Sequence, residues 1–218
     1  MGADGGATLN STTPAPATPA PATPAPATRP RGPVLALFAG IALVAVVTDQ
    51  VIKQLSVANL DPNQPVRILG GLIYLSLAHN SGAAFSLGSN YTFIFPLITV
   101  VVIGWIGWMA LSLRSVPWAV SLGLVLGGAI GNLGDRLFRA PGFLHGQVVD
   151  MISAFAPGGE KFAIFNVADS CLTIGVLLAV LLELTGRKRD GSRSSRGADT
   201  SAGSLGRRPD GDPGSPAR

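Results

Sequence analysis

The chain has 218 residues, 47% of them hydrophobic and only 13% charged, with a mean hydropathy of +0.43. Soluble domains carry about 25% charged residues, so the composition argues against an ordinary soluble domain and for a membrane protein. The net charge of +4 matters only through its distribution, and the single cysteine, Cys171, excludes an intramolecular disulfide.

Residues 1–32 are low in complexity, with TPAPA three times in succession between Thr13 and Ala27. Proline at this density favours a solvated, extended chain and builds no core, so a disordered tail is expected. From Pro33 the sequence is apolar to Val47, and helical spacing continues it through Val51, Ile52 and Leu55. That length suffices to cross ~30 Å of hydrocarbon and exceeds the apolar core of a cleaved signal peptide. Residues 56–90 contain the turn signals Asp61-Pro62-Asn63 and Gly70-Gly71 beside the β-formers of Val66–Leu69 and Leu72–Ala78. A small sheet outside the membrane is expected there.

Tyr91 to Leu113 reads as a second span, with Trp105 and Trp108 toward the interface marked by Arg114. Pro117 suits the first turn of a third helix, running from Trp118 to about Leu137. Gly123, Gly127 and Gly131 recur every fourth residue along it, a small-residue face for close helix packing. Residues 139–164 read as a second loop, and Val167 to Leu184 as a fourth span ended by Gly186. The polar, basic, Gly/Ser-rich segment 187–218 is expected to be a disordered tail. The predicted fold is therefore an all-α membrane protein: a four-helix transmembrane bundle over residues 33–186, with a small β-sheet in its first outer loop.

With four spans, eleven Lys and Arg fall on the side of the termini and five on the other. The excess of Lys and Arg marks the cytoplasmic side. Both termini are thus expected in the cytoplasm and both loops outside.

The outward helix ends concentrate ionisable and polar residues that a membrane protein keeps only for a reason. Asp49 and Lys53, four apart, fit an ordinary ion pair as well as a site. Asn132, Asp135 and Arg136 fit either support of a site or the polar end of helix three. His79 and His145 have no metal-ligand spacing and read as loop residues. Asp150 and Asp169 are harder to dismiss: each lies among apolar residues, and no cation neighbours either in sequence. One continuous helix would hold them roughly 28 Å apart, but Ala156-Pro157-Gly158-Gly159 forbids it. A chain that turns at Gly159 and returns level brings the two side by side. Two carboxylates in low dielectric do not both ionise cheaply. One acid and one base suit aspartic proteolysis, although spacing alone leaves a proton or ion pathway and a structural role open.

Five blocks in order give the chain its resemblance: Thr48-Asp49-Gln50 with Lys53; Asn80-Ser81-Gly82-Ala83-Ala84-Phe85; Gly127-Gly128-Ala129-Ile130-Gly131-Asn132-Leu133-Gly134-Asp135-Arg136; Val148-Val149-Asp150; and Phe165-Asn166-Val167-Ala168-Asp169-Ser170. Over roughly residues 34–186 the sequence resembles lipoprotein signal peptidase, the bacterial signal peptidase II. The resemblance implies an aspartic endopeptidase of the bacterial inner membrane with Asp150 and Asp169 as its dyad. It would cut prolipoproteins just before a diacylglyceryl-modified cysteine, near the outer face, as a monomer in contact with membrane lipid. No cofactor, metal or nucleic acid is implied. Asn80, Gly82, Gly128, Asn132, Arg136, Asn166 and Ala168 match positions that line or brace the family's site. Asp49, Lys53 and Asp135 match supporting polar positions. The first outer loop matches a β-cradle with a lid-like segment. Gln147 stands where many relatives have histidine, Gly134 where a bulkier residue is common, and the connection from Arg136 to Asp150 is longer than in compact members. The rival reading from another class is a membrane transporter or channel. It would need a polar path to the cytoplasmic side, where these spans are nearly uncharged.

Overall fold

A computed structural model of the chain describes residues 30–82 and 93–193. Four helices and three strands make up the described fold: α1 (Arg31–Asn59), β1 (Val66–Ile68), β2 (Ile73–Asn80), α2 (Ile94–Ala110), α3 (Val116–Phe138), β3 (Val148–Ala154) and α4 (Val167–Leu184). The predicted start of the second helix at Tyr91, the Ala83-Ala84-Phe85 motif, the lid-like segment and most of both tails lie outside the described residues.

Among the described residues, α1, α3 and α4 are long and apolar enough to cross a membrane. The 17 residues of α2 are apolar but shorter, about 25 Å of helix. Large apolar side chains cover the outside: Val44 and Leu43 of α1, Val101 of α2 and Leu177 of α4 are each more than 60% exposed. Such a surface suits hydrocarbon rather than water.

α3 is the central helix, packed against α1, α2 and α4. Its glycine stripe makes the close approach possible. A Cβ on Gly127 would lie 2.5 Å from Cβ of Ala45, and one on Gly131 would lie 2.7 Å from Oδ2 of Asp49. On the α4 side, a Cβ on Gly128 would meet the Ala168 carbonyl oxygen at 2.5 Å. Between hydrocarbon-solvated helices, such backbone proximity replaces the hydrophobic effect as the source of packing energy. Ser121 of α3 adds a bond across the same seam by donating to the Gly175 carbonyl of α4 (2.8 Å). An apolar core of Val34, Phe38, Ile106, Leu113, Trp118 and Leu182 fills the bundle where the α2–α3 turn and both outer helix termini meet. The buried charged residues Asp49, Lys53, Asp135, Arg136 and Asp150 collect at the opposite end, by the sheet.

The sheet corrects the sequence reading in one respect. Its order is β1-β2-β3, all antiparallel, so the third strand comes from the segment expected to be a loop. Its sequence, VVDMISA, is apolar almost throughout and gives no clean alternation, because the strand is buried on both faces. Past β3 the chain turns at Gly159 (φ +80) and returns, and Phe165 bridges to Ile152. The predicted reversal is therefore present, but it joins a strand to a helix.

The C-terminal tail was expected to begin at Arg187, but residues 187–193 form a turn docked on the bundle. The Arg189 carbonyl accepts from the Arg114 and Ser115 amides (2.8 and 3.0 Å), and the Arg187 carbonyl accepts from Nε1 of the buried Trp118 (2.7 Å). These bonds need backbone geometry that composition does not reveal. Ending the chain after Arg193 is expected to leave thermal stability unchanged. Ending it after Gly186 strands the Trp118 indole donor and should cost about 1–3 kcal/mol, seen as a lower midpoint in detergent-solubilised unfolding.

Candidate active site

Asp150 sits in the middle of β3, 3% exposed, and Asp169 sits in the first turn of α4. Each position has a local cause. Asn166 caps α4: its Oδ1 accepts from the Asp169 amide (2.9 Å), and Oδ2 of Asp169 accepts from the Asn166 amide (3.2 Å). This reciprocal capping box holds the Asp169 carboxylate at the positive end of the helix dipole, where an anion is favoured. Asp150 is placed by a register shift. Between Leu75 and Ala78 the β2–β3 ladder slips, so that Asn80 opposes Val148 and His79 opposes Val149. An unbroken ladder would put His79 opposite Val148, on the face of Asp150, and a one-residue slip exchanges the faces. The bulge thus turns Asn80 toward Asp150, where its Nδ2 donates to Oδ2 (3.2 Å). His79 lies exposed in β2 rather than in a loop; His145 is exposed in the α3–β3 connection.

An amide chain joins the two carboxylates. Nδ2 of Asn166 donates to Oδ1 of Asp150 (2.7 Å) and to Oδ1 of Asn132 (3.1 Å), while Nδ2 of Asn132 donates to Oδ1 of Asp169 (2.8 Å). Burial pushes the Asp150 carboxyl up to about 6, helped by the nearby Asp169 charge and opposed by the Asn80 and Asn166 donors and by Lys53. Asp150 therefore holds its proton through mildly acidic pH.

Behind this pair lies a buried ionic cluster. Lys53, fully buried, contacts Oδ2 of Asp49 (2.8 Å), Oδ2 of Asp135 (2.7 Å) and Oδ1 of Asn132 (2.9 Å). Asp49 also accepts from the Ala168 amide (2.9 Å), which hooks the start of α4 onto α1. Asp135 also accepts from Arg139 (2.5 Å), from Nε2 of Gln50 (3.3 Å) and from the Val149 amide (3.3 Å). Sequence reasoning assigned no role to Arg139 or Gln50. For Arg139 the available signal is its spacing four residues after Asp135, and for Gln50 its place in the Thr48-Asp49-Gln50 block. The ion pair expected of Asp49 and Lys53 is present, inside the bundle rather than at an interface.

Arg136 shares the rim with the aspartates but donates its hydrogen bonds to main-chain carbonyls: Ser81 (3.2 Å), Gly146 (3.5 Å) and Gly82, with its guanidinium 5.2 Å from the Phe95 ring centroid. It fastens the end of β2 to the α3–β3 connection. The Gly82 amide in turn donates to Oδ1 of Asn80 (3.0 Å).

These residues open on a cavity of about 740 Å³. Asn80, Asn132, Arg136, Asp150 and Asp169 supply its polar part, and Ile98, Val102, Leu172 and Ile174 of α2 and α4 line its apolar walls. A buried carboxyl with a raised pKa, a second carboxyl at a helix terminus and apolar cavity walls suit hydrolysis of an apolar chain.

Comparison with known proteins agrees. A family model described as signal peptidase (SPase) II matches residues 41–185. The chain belongs to the signal peptidase II family. It is 46% identical over 165 residues to a lipoprotein signal peptidase of Streptomyces coelicolor, covering 76% of this chain and 78% of the relative. It is 43% identical over 167 residues to that of Mycobacterium avium, covering 77% and 89%. Two solved bacterial membrane enzymes superpose with TM-scores of 0.61 and 0.60 at 26% and 28% identity, covering 76% and 69% of this chain and 95% and 94% of theirs.

The bulge gives a direct check on the geometry. Asn80→Ala removes the donor to Oδ2 of Asp150 and should lower peptidase turnover by about tenfold or more. His79→Ala, one residue away on the opposite face, should leave turnover unchanged. Equal effects of the two substitutions on prolipoprotein cleavage would contradict the register.

Proposed function

We propose that this signal peptidase II removes signal peptides from prolipoproteins by a two-aspartate hydrolysis. The observation that carries the mechanism is the linked pair of carboxylates in unlike surroundings: Asp150 buried in a strand with a raised pKa, Asp169 in a helix-terminal capping box. Asp169 takes a proton from water as the water oxygen attacks the scissile carbonyl carbon, and Asp150 gives its proton to the carbonyl oxygen. Collapse of the tetrahedral intermediate returns that proton to Asp150, while the proton held by Asp169 passes to the departing amine. No net proton is gained or lost by the pair. Asn80, Asn132 and Asn166 hold the two carboxylates, Gly82 and Arg136 line the cavity, and Gly128 and Ala168 let α3 and α4 approach behind it. Asp49, Lys53 and Asp135 brace it.

The substrate reading follows from where the cavity lies. The signal peptide is itself an apolar helix and fits between α2 and α4, whose Ile98, Val102, Leu172 and Ile174 face the groove. A diacylglyceryl group on the cysteine after the cleaved bond keeps that bond at headgroup depth, level with carboxylates at the helix ends. In this reading α2 completes a four-span bundle acting as a monomer in the bacterial inner membrane. Both termini are cytoplasmic and the dyad lies near the outer face, as the Lys and Arg distribution favours. Charged side chains cluster at the sheet end rather than along a path through the bundle, which disfavours a transporter or channel.

Incubation of the purified protein with a diacylglyceryl-modified prolipoprotein should yield the shortened product. Asp150→Asn and Asp169→Asn keep the shape and remove one acid–base group, so each alone should nearly abolish cleavage. The double variant should be little worse, since the two act as a unit. Full cleavage by either single variant would falsify the mechanism.

The acid limb of the pH profile reflects protonation of both carboxylates. As pH rises through about 6, the value to which Asp150 is pushed in the free protein, the proton needed on Asp150 is lost. The profile of kcat/KM should therefore be bell-shaped, with an upper apparent pKa of the pair near 6. The kcat profile should extend higher, because bound substrate displaces water from the cavity and further disfavours the second charge. A flat kcat/KM profile from about pH 5 to about pH 8 would contradict this assignment.

A further inference from the structure

We infer that Lys53 is a positioning residue for the peptidase reaction, setting the orientation of the Asn132 amide so that its N–H rather than its oxygen meets Asp169. This rests on the two-aspartate reading above. A lysine ammonium has three donors and no acceptor, and each donor here has one partner. Two go to carboxylates, Oδ2 of Asp49 and Oδ2 of Asp135, and the third to Oδ1 of Asn132 at 2.9 Å. The opposite end of the same amide, Nδ2, donates to Oδ1 of Asp169 at 2.8 Å.

An amide can rotate by half a turn at almost no cost in shape, and only its neighbours select the orientation. Rotated, Asn132 would point an N–H at an ammonium and an oxygen at the Asp169 carboxylate, two repulsive contacts in a low-dielectric interior. Asn166 also donates to Oδ1 of Asn132 (3.1 Å) with the second N–H of the group that serves Asp150, a neutral donor that supports the same orientation. Lys53 is the cation that enforces the choice. It is fully buried and does not line the cavity, so it touches Asp169 only through Asn132. Asp49 from its own helix and Asp135 from α3 hold it in place, and Arg139 brings the cluster of two carboxylates and two cations to neutrality. The arrangement ties α1, which contributes no group to the reaction, to the protonation geometry of the carboxylate on α4.

The test is a mutant cycle read as turnover of a diacylglyceryl-modified prolipoprotein, with kcat and KM separated. Lys53→Met keeps the stem and removes the donors. It should lower kcat by about 100-fold, as a misplaced reacting group does, while KM stays within about twofold because no substrate contact is lost. Asn132→Ala should show a similar loss. The double variant should be no slower than the slower single variant within about threefold, because both substitutions remove the same contact to Asp169. Losses that multiply would overturn the inference.

Removing the cation alone leaves two buried carboxylates facing each other. The charge-balanced Lys53→Met/Asp135→Asn variant is therefore measured alongside, and it decides the matter even where Asn132→Ala is too slow to follow. It should fold, with a thermal midpoint near that of the starting protein, and remain slow. Recovery of full turnover would reduce Lys53 to a counter-charge and overturn its positioning role, and so would failure of this balanced variant to fold. Failure of the underlying reading would look different: Asp150→Asn or Asp169→Asn would retain cleavage, whatever the cycle shows.

Discussion

The buried ammonium of Lys53 is the contact on which the rest of the site depends. A charge fully removed from water is expensive, and the cost is offset only when every donor meets an acceptor of good geometry. Asp49, Asp135 and Asn132 meet that condition from α1 and α3 (2.7–2.9 Å). Asp49 then reaches the Ala168 amide of α4, and Asp135 reaches the Val149 amide of β3. One ionic cluster therefore sets the relative positions of the two elements that carry Asp150 and Asp169. Such a cluster contributes more to specificity of arrangement than to net stability, because its attractive terms largely offset desolvation.

Small residues make the cluster possible. The buried cations and carboxylates meet only because α1, α3 and α4 approach nearly backbone to backbone, and Gly127, Gly128 and Gly131 are where a side chain would block that approach. The same stretch of α3 thus supplies both the packing face and the Asn132, Asp135 and Arg136 that end it. At the far end, the apolar core around Trp118 and the docked turn at 187–193 close the bundle without polar groups of catalytic interest. The molecule is polarised: apolar packing at one end, a hydrogen-bonded ionic network at the other.

The two aspartates acquire different chemistry from different backbones. A strand interior gives Asp150 burial, which favours its protonated form against the Asn80 and Asn166 amide donors. A helix N-terminus gives Asp169 main-chain N–H partners and a favourable dipole. Identical side chains thus stand in unlike surroundings, and among the described residues neither carboxylate forms an ion pair.

The helical segments were legible as long apolar runs, which have few other stable fates, and the fourth helix falls at Val167–Leu184 as expected. The sequence also determined the identity of the paired aspartates and the reversal between them, because Pro157 and Gly159 interrupt any helix. The glycine stripe was legible as a packing face from its spacing alone. The remaining features follow from packing. β3 was invisible because a strand buried on both faces loses its alternation. The selection of Asn80 over His79 came from a one-residue bulge, which leaves no mark in composition. Gln50 joined the ionic cluster because α1 and α3 bring residues some 85 positions apart into contact. The docked turn at Arg187–Arg193 depends on main-chain carbonyls, which every residue possesses. Local sequence specifies local periodicity and turns, whereas partners are chosen by which backbones come close, and that is settled by the packing of the whole chain.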